Sequence, residues 1–164
     1  MTINEIAFEA GRIAVKELRE QILLQGHRLT GSLIKSARAN SVVVNEDSAV
    51  VRILLNDYGV PLNTGVPAPR IPYGSYTGAR VSKYIQGLKR FAKLGFRVTD
   101  KQALGIAFAI ANKHKREGMP TANSFRFSKN GMRTRYVEQT IKNITKDIEK
   151  LIGNLQAEFK KPFR

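Results

Sequence analysis

Residues 58–78, YGVPLNTGVPAPRIPYGSYTG, hold four of the chain's six prolines and four of its thirteen glycines. No other stretch limits the fold as strongly. Proline removes a backbone donor and fixes φ, while glycine loses the most freedom on ordering, so the stretch is expected to be neither helix nor central strand. It is too long for a plain connection. Loops of this size in compact domains are functional or are ordered by a neighbour. The expected organisation is therefore one domain over residues 1–159 with a long loop at 58–80, followed by a disordered tail at 160–164.

Before the loop, Thr2 and Glu5 have the spacing of a capping box. Apolar residues then recur at Ile3, Ile6, Ala7, Ala10, Ile13, Ala14 and Leu18, which predicts a helix ending near Gly26. Gly31 to Ala39 suggests a short helical turn with Thr30 as N-cap. The period then changes. Val42 to Val44 and Ala49 to Leu55 flank Asn45, Glu46, Asp47 and Ser48, a pattern that predicts a β-hairpin. A lone hairpin is not stable, so it must pack on helices or on further strands.

After the loop, Val81 to Leu94 has a helical period with Tyr84, Ile85, Leu88, Phe91 and Ala92 on its apolar side and Gly95 as the expected C-cap. Thr99 and Gln102 form a second capping box. The following helix is apolar on nearly all sides from Ala103 to Ala111 and is expected to be central to its domain. It closes in Lys113, His114, Lys115 and Arg116 before Gly118 and Pro120. Ser124 to Ser128 reads as a short strand or an extended arm, and Lys129, Asn130 and Gly131 as a turn. Val137, Ile141, Ile144, Ile148, Leu151 and Leu155 form a heptad seam, for which packing within the domain is favoured over an intermolecular coiled coil. The pattern as a whole predicts an α+β fold. A small antiparallel sheet, built on the hairpin, packs against an N-terminal helix, a central apolar helix and a long C-terminal helix.

Charge is local. Residues 58–137 carry 15 Lys and Arg against 2 Asp and Glu, out of a net +15 for the whole chain. The dipole of the apolar helix accounts for a cationic last turn. It does not reach Arg126, Lys129, Arg133 and Arg135, which point to a partner. Interleaved Tyr73, Tyr76, Tyr84, Phe125, Phe127 and Tyr136 would suit phosphate neutralisation and base stacking. Tyr84 and Phe91, however, fall on an apolar helix face and read as core. No RNP-type signature and no paired zinc-ligand spacing is present.

Catalysis finds little support. The chain has no cysteine, which removes disulfides, thiolate zinc sites and thiol nucleophiles. The loop glycines do not form a phosphate-binding signature. Asp100 is the only acidic residue between Tyr58 and Arg116, so a carboxylate pair or magnesium site would have to draw on Glu46, Asp47, Asp57 or the terminal helices. His114 lies among cations that disfavour its protonated form. No signal peptide is apparent, and the apolar run Ala103 to Ala111 is about half of what a bilayer-spanning helix needs. The expectation is a soluble, intracellularly made, non-enzymatic protein without cofactor, metal site or membrane partner.

The order of these segments carries a resemblance. Thr30-Gly31-Ser32-Leu33, Tyr58-Gly59, Leu62-Asn63-Thr64-Gly65-Val66, Arg70-Ile71-Pro72-Tyr73, SKYIQGLKRFAKLGFRV and TDKQALGIAFAIANKHKREGMPT follow one another. This succession, over roughly residues 28–137, resembles the head-to-tail joining proteins of tailed bacteriophages, the neck or tail-completion family. Asn63 stands where many relatives carry an acidic residue, and Phe91 where tryptophan is frequent. The resemblance implies a structural virion protein, made in the host cytoplasm, that forms a ring of six or more copies between the head connector and the tail. Its implied partners are itself, portal or adaptor proteins and tail proteins, with non-specific contact to packaged DNA as a further option. The implied contact residues are Tyr58, Asn63, Arg70, Tyr73 and Arg80 of the loop, with Lys113, Lys115, Arg116, Arg126, Arg133 and Arg135 of the basic block. Loop order would then depend on assembly. The alternative is a stand-alone, non-specific nucleic-acid-binding protein.

Overall fold

The computed structural model describes residues 2–27, 29–44, 48–74 and 78–159. The expected turn at 45–48 apart from Ser48, Tyr76, and the tail at 160–164 lie outside them. The fold is α+β, with a two-stranded antiparallel hairpin and long helices near both ends. Its residues divide into two compact units, Met1–Gly59 with Arg135–Arg164, and Val60–Thr134.

The first unit is organised by α1 (Ile3–Leu24), which the predicted Thr2/Glu5 capping box opens. It packs against β1 (Arg38–Val44), β2 (Ala49–Leu54) and α6 (Tyr136–Phe159). Ile6, Ala7, Ala14 and Leu18 bury the face that the helical period assigned to the core, and Ile22 one turn further on is buried with them. Full burial of a side chain such as Ile22 contributes about 1.5–3 kcal/mol. The hairpin thus gains the helical support that a two-stranded sheet requires. β1 starts at Arg38, earlier than the valine run, because Arg38 pairs with Leu54 at the far end of β2; a bulge at Ala39/Ser41 absorbs the offset.

The short helix α2 (Ser32–Ser36) has Gly31 in the left-handed region at its N-cap, not Thr30. Thr30 Oγ1 instead accepts the Ser32 amide one residue further in, at 3.4 Å. Tyr136, at the start of α6, is fully buried and donates its hydroxyl to the Gly59 carbonyl at 2.6 Å. A Cβ on Gly59 would lie 2.8 Å from that hydroxyl and 2.6 Å from Leu55 Cδ2, so only glycine lets these groups approach.

The heptad seam of α6 divides. Ile144, Ile148 and Leu151 are half-buried, whereas Val137 and Ile141 are open, Ile141 at 58% exposure. The Leu155 side chain lies outside the described part.

The second unit is built on α4 (Lys83–Phe96) and α5 (Asp100–Glu117), which pack against each other. Ser82 caps α4, and Thr99 with Gln102 caps α5 as the sequence predicted. α4 runs past Gly95 and ends at Arg97, which takes the left-handed conformation at φ 53°. Lys89 and Lys93 both bind Asp100, which holds the last turn of α4 in register beyond the glycine.

The Pro/Gly stretch corrects the strongest expectation from the sequence, because part of it is helical. α3 (Gly59–Thr64) begins at the last residue of the first unit and continues into the second. Pro61 sits in its first turn, where the missing amide would have had no helical acceptor. A 3-10 turn follows at Ala68–Arg70 and another at Ala79–Val81. Ile71, Tyr73 and Ala79 then join Ile85, Ala107 and Ala111 in the core of this unit.

Val66 and Met119 exchange backbone hydrogen bonds of 2.8 and 2.7 Å as an isolated antiparallel bridge. Gly118 makes this approach possible: its φ is +81°, and a Cβ there would stand 2.6 Å from the Val66 carbonyl. Within one copy, Ile71 and Tyr73 of the stretch thus pack with Ala107 and Ala111 of α5. Ala122–Phe127 is a 3-10 helix, neither the strand nor the arm expected. The predicted turn at 129–131 is present, with Ser128 and Asn130 side chains bonded to local amides and Gly131 at φ +73°.

Candidate binding surfaces

Within the second unit the basic block gathers on few elements. Val60–Thr134 holds 14 Lys and Arg against Asp100 and Glu117, a net +12, while the first unit has 14 against 11, or +3. Both carboxylates of the second unit are already engaged. Asp100 takes Lys89 on one oxygen and Lys93 at 2.6 Å on the other. Those two hydrogen bonds hold its carboxyl down to a pKa of about 2. Glu117 pairs with Lys113 at 3.4 Å and accepts the Ala122 amide. The surface left is cationic almost throughout.

Lys115 and Arg116 are exposed on the last turn of α5, Lys113 is half-buried, and Arg70 is exposed on a 3-10 turn that packs on α5. Arg80 is exposed on the turn before α4, and its carbonyl accepts from Gln86 Nε2. Arg126 lies over the Phe127 ring at 4.8 Å, beside Phe125 and Phe127 at 42% and 57% exposure. Asn63 is half-buried on α3.

Three of the residues implied as contacts are engaged within the chain. Tyr73 is buried, with its ring 6.4 Å from Phe108 and 6.5 Å from Tyr84, so it holds the loop to the core and does not present its ring to a partner. Arg133 is half-buried, and desolvation lowers its pKa. Tyr58, in the first unit, is partly exposed, but its hydroxyl bonds Ser32 Oγ at 2.7 Å. Arg135, also in the first unit, is exposed at φ +61° just ahead of α6. Tyr136 belongs to the core of the first unit.

His114 Nδ1 and the Tyr84 hydroxyl are 2.7 Å apart. Burial lowers the His114 pKa, against an opposing pull from Glu117, and burial pushes the Tyr84 phenol up to about 12. The direction for His114 matches the sequence expectation. Its cause is desolvation, not the neighbouring lysines. Phe91, expected in the core, is 41% exposed and meets Phe96 edge-on at 6.2 Å. The helical period placed Phe91 on the apolar face; it could not show that the face is fully covered only at Ile85 and Ala92.

A second surface, unmarked by any sequence motif, lies in the first unit. An open groove of about 850 Å³ runs between α1 and the start of β1, lined by Phe8, Val15 and Leu23 with Arg12, Lys16 and Arg38 along its sides. Phe8 is 72% exposed. The signal for it in the sequence was the second apolar stripe on α1, offset from the buried one.

Among the described residues, no group of three or more His, Cys, Asp and Glu side chains is placed to hold a metal ion. Among the described residues, no helix is long and apolar enough to cross a membrane. These features define an α+β protein with one cationic surface and one apolar groove. Comparison with protein-family models, curated proteins and solved structures finds no match.

Proposed function

We propose that this chain is a structural subunit of the ring that joins head and tail in a tailed bacteriophage. The single observation that carries the reading is the mutual packing of most of the segments behind the resemblance. The loop residues Val66, Ile71 and Tyr73, the helix containing Tyr84 and Ile85, and the apolar helix closing at Gly118-Met119 meet within one unit. A motif succession that folds as one body supports common descent better than scattered short matches do. The work of such a subunit is association: rings close through heterologous contacts, in which two different patches of one copy meet.

The cationic surface of the second unit then serves to meet acidic faces of the connector or the tail, where charge complementarity governs specificity and rate. A cationic channel lining would retard passing DNA, which favours protein partners. Electron microscopy of particles carrying a labelled copy tests the reading: label between head and tail is expected, and its absence from particles would overturn the proposal. Reversing Arg116, Arg126 and Lys129 should block joining while leaving the fold intact by circular dichroism. Arg133 is unsuitable for this test because it is half-buried.

One observation favours the second reading, a stand-alone binder of nucleic acid. Both carboxylates of the second unit are paired with lysines, and Phe125 and Phe127 lie open beside Arg126. Tight binding of purified protein to generic DNA, with a steep loss as salt rises, would favour it. Absence of binding even at low salt would remove it.

A further inference from the structure

The groove in the first unit has an unfinished sheet as one of its walls. Its lining comes from α1 and from Arg38, Ala39 and Asn40 of β1, with no described residue of β2, so it lies on the outer side of β1. α1 approaches the hairpin closely at Gly11, where a Cβ would stand 2.9 Å from Val51 Cγ1 and 3.6 Å from Ala39 Cβ. Phe8, Val15 and Leu23 of the same helix line the open side. The sheet consists of β1 and β2. Outside their ladder, Arg38, Ala39 and Asn40 make no backbone hydrogen bond among the described residues. A strand edge of this kind is a template for a further strand. The bulge leaves Asn40 without a partner in β2 and makes the regular edge short, so a guest strand also needs side-chain contacts.

The charges of the lining state which contacts those are. Arg12, Lys16, Arg19 and Arg38 stand against Glu20. Arg12 is neutralised by Glu9 at 2.6 Å, whereas Arg19 donates to the Ala37 carbonyl at 2.7 Å, which leaves its charge in place. Lys16 and Arg38 are exposed and form no ion pair among the described residues. Three uncompensated cations thus face one carboxylate. We infer that the groove takes an extended segment of another protein, carrying both apolar and acidic residues, as a third strand on the outer edge of β1. Main-chain hydrogen bonds and burial against Phe8, Val15 and Leu23 hold such a strand, and the cations select an acidic one. A second copy of this chain fits less well. Pairing of β1 with β1 across a two-fold axis brings like cationic grooves together.

The test uses the purified full-length chain and labelled peptides of about eight residues, an ordinary strand length. A peptide alternating Glu and Val is expected to bind about tenfold more tightly than one alternating Lys and Val, read by fluorescence anisotropy. Equal affinity, or no binding of either, overturns the inference. Lys16→Glu/Arg38→Glu should invert the preference, and the gain of binding to the Lys/Val peptide shows that the variant is folded. An unchanged preference would place the peptide elsewhere and overturn the assignment.

Backbone methylation tests the added strand itself. Amides of alternate residues point to opposite edges of a strand, so the Glu/Val peptide methylated on its Glu amides and the one methylated on its Val amides should differ, one binding as the parent does and the other losing affinity. Equal behaviour of the two overturns strand addition. Self-association of the chain that the Glu/Val peptide abolishes would put a second copy in the groove, and that also overturns the inference. The groove and the virion reading stand apart: peptide binding says nothing of particles, and a chain absent from particles still binds the peptide.

Discussion

Gly118 shows how much one residue holds in the second unit. Its positive φ and its closeness to the Val66 carbonyl exclude any Cβ, so Gly118→Ala combines backbone strain with a steric clash. The expected loss is about 1–3 kcal/mol, read as a lower denaturant midpoint. The sequence marked Gly118 as a helix terminator and left its role in the bridge to Val66 unseen, since that role depends on a strand-like contact between residues far apart in the chain.

His114 is a second case at this scale. Its folded pKa is depressed by burial below the ordinary 6.5. As pH falls through 6.5 the unfolded chain takes up a proton that the folded chain resists, so acidification favours unfolding. A lower melting temperature at about pH 5.5 than at about pH 7.5 is expected, with the difference reduced in His114→Gln. The basic run around His114 was legible. Its burial against Tyr84 was not, because the run says nothing about which helix covers it.

Among elements, the capping boxes were the most legible part of the chain, whereas the expected caps Thr30 and Gly95 were not the ones used. Thr2/Glu5 and Thr99/Gln102 form the two boxes that their spacing announced, because a cap is a local device that needs no tertiary partner. Thr99→Ala should therefore destabilise the protein by about 1 kcal/mol, measurable by thermal or chemical unfolding. Boundaries set by tertiary contact were not legible. The last turn of α4 persists past Gly95, supported by the hold of Asp100 on Lys89 and Lys93, and α3 forms inside a proline-rich stretch because Pro61 occupies a tolerated position. The α6 seam was read correctly as a helix. Which of its residues would stay open depended on how much of its face α1 could cover.

For the molecule as a whole, Ile71, Tyr73 and Ala79 of the long loop are part of the second unit's core. Hydrogen exchange on the isolated chain should show Val66, Ile71 and Met119 amides protected relative to Lys129, since the first three sit in the bridge or the adjoining 3-10 turn. Uniformly fast exchange over 60–74 would show that the loop is unfolded in a single copy. The segregation of charge was plain in the sequence, whereas the division into two units was hidden, because the first unit is assembled from segments far apart in the chain.

That discontinuity bears on how the protein is made. The ribosome completes the second unit, ending at Thr134, before α6 exists. Until then α1 has the hairpin and the short α2 but no long helix to pack on, and the Gly59 carbonyl has no Tyr136 to meet. The second unit has all its residues available for folding during synthesis. The first unit closes only after α6 has been made, so a chain truncated before Arg135 would hold every residue of the second unit and an unfinished first.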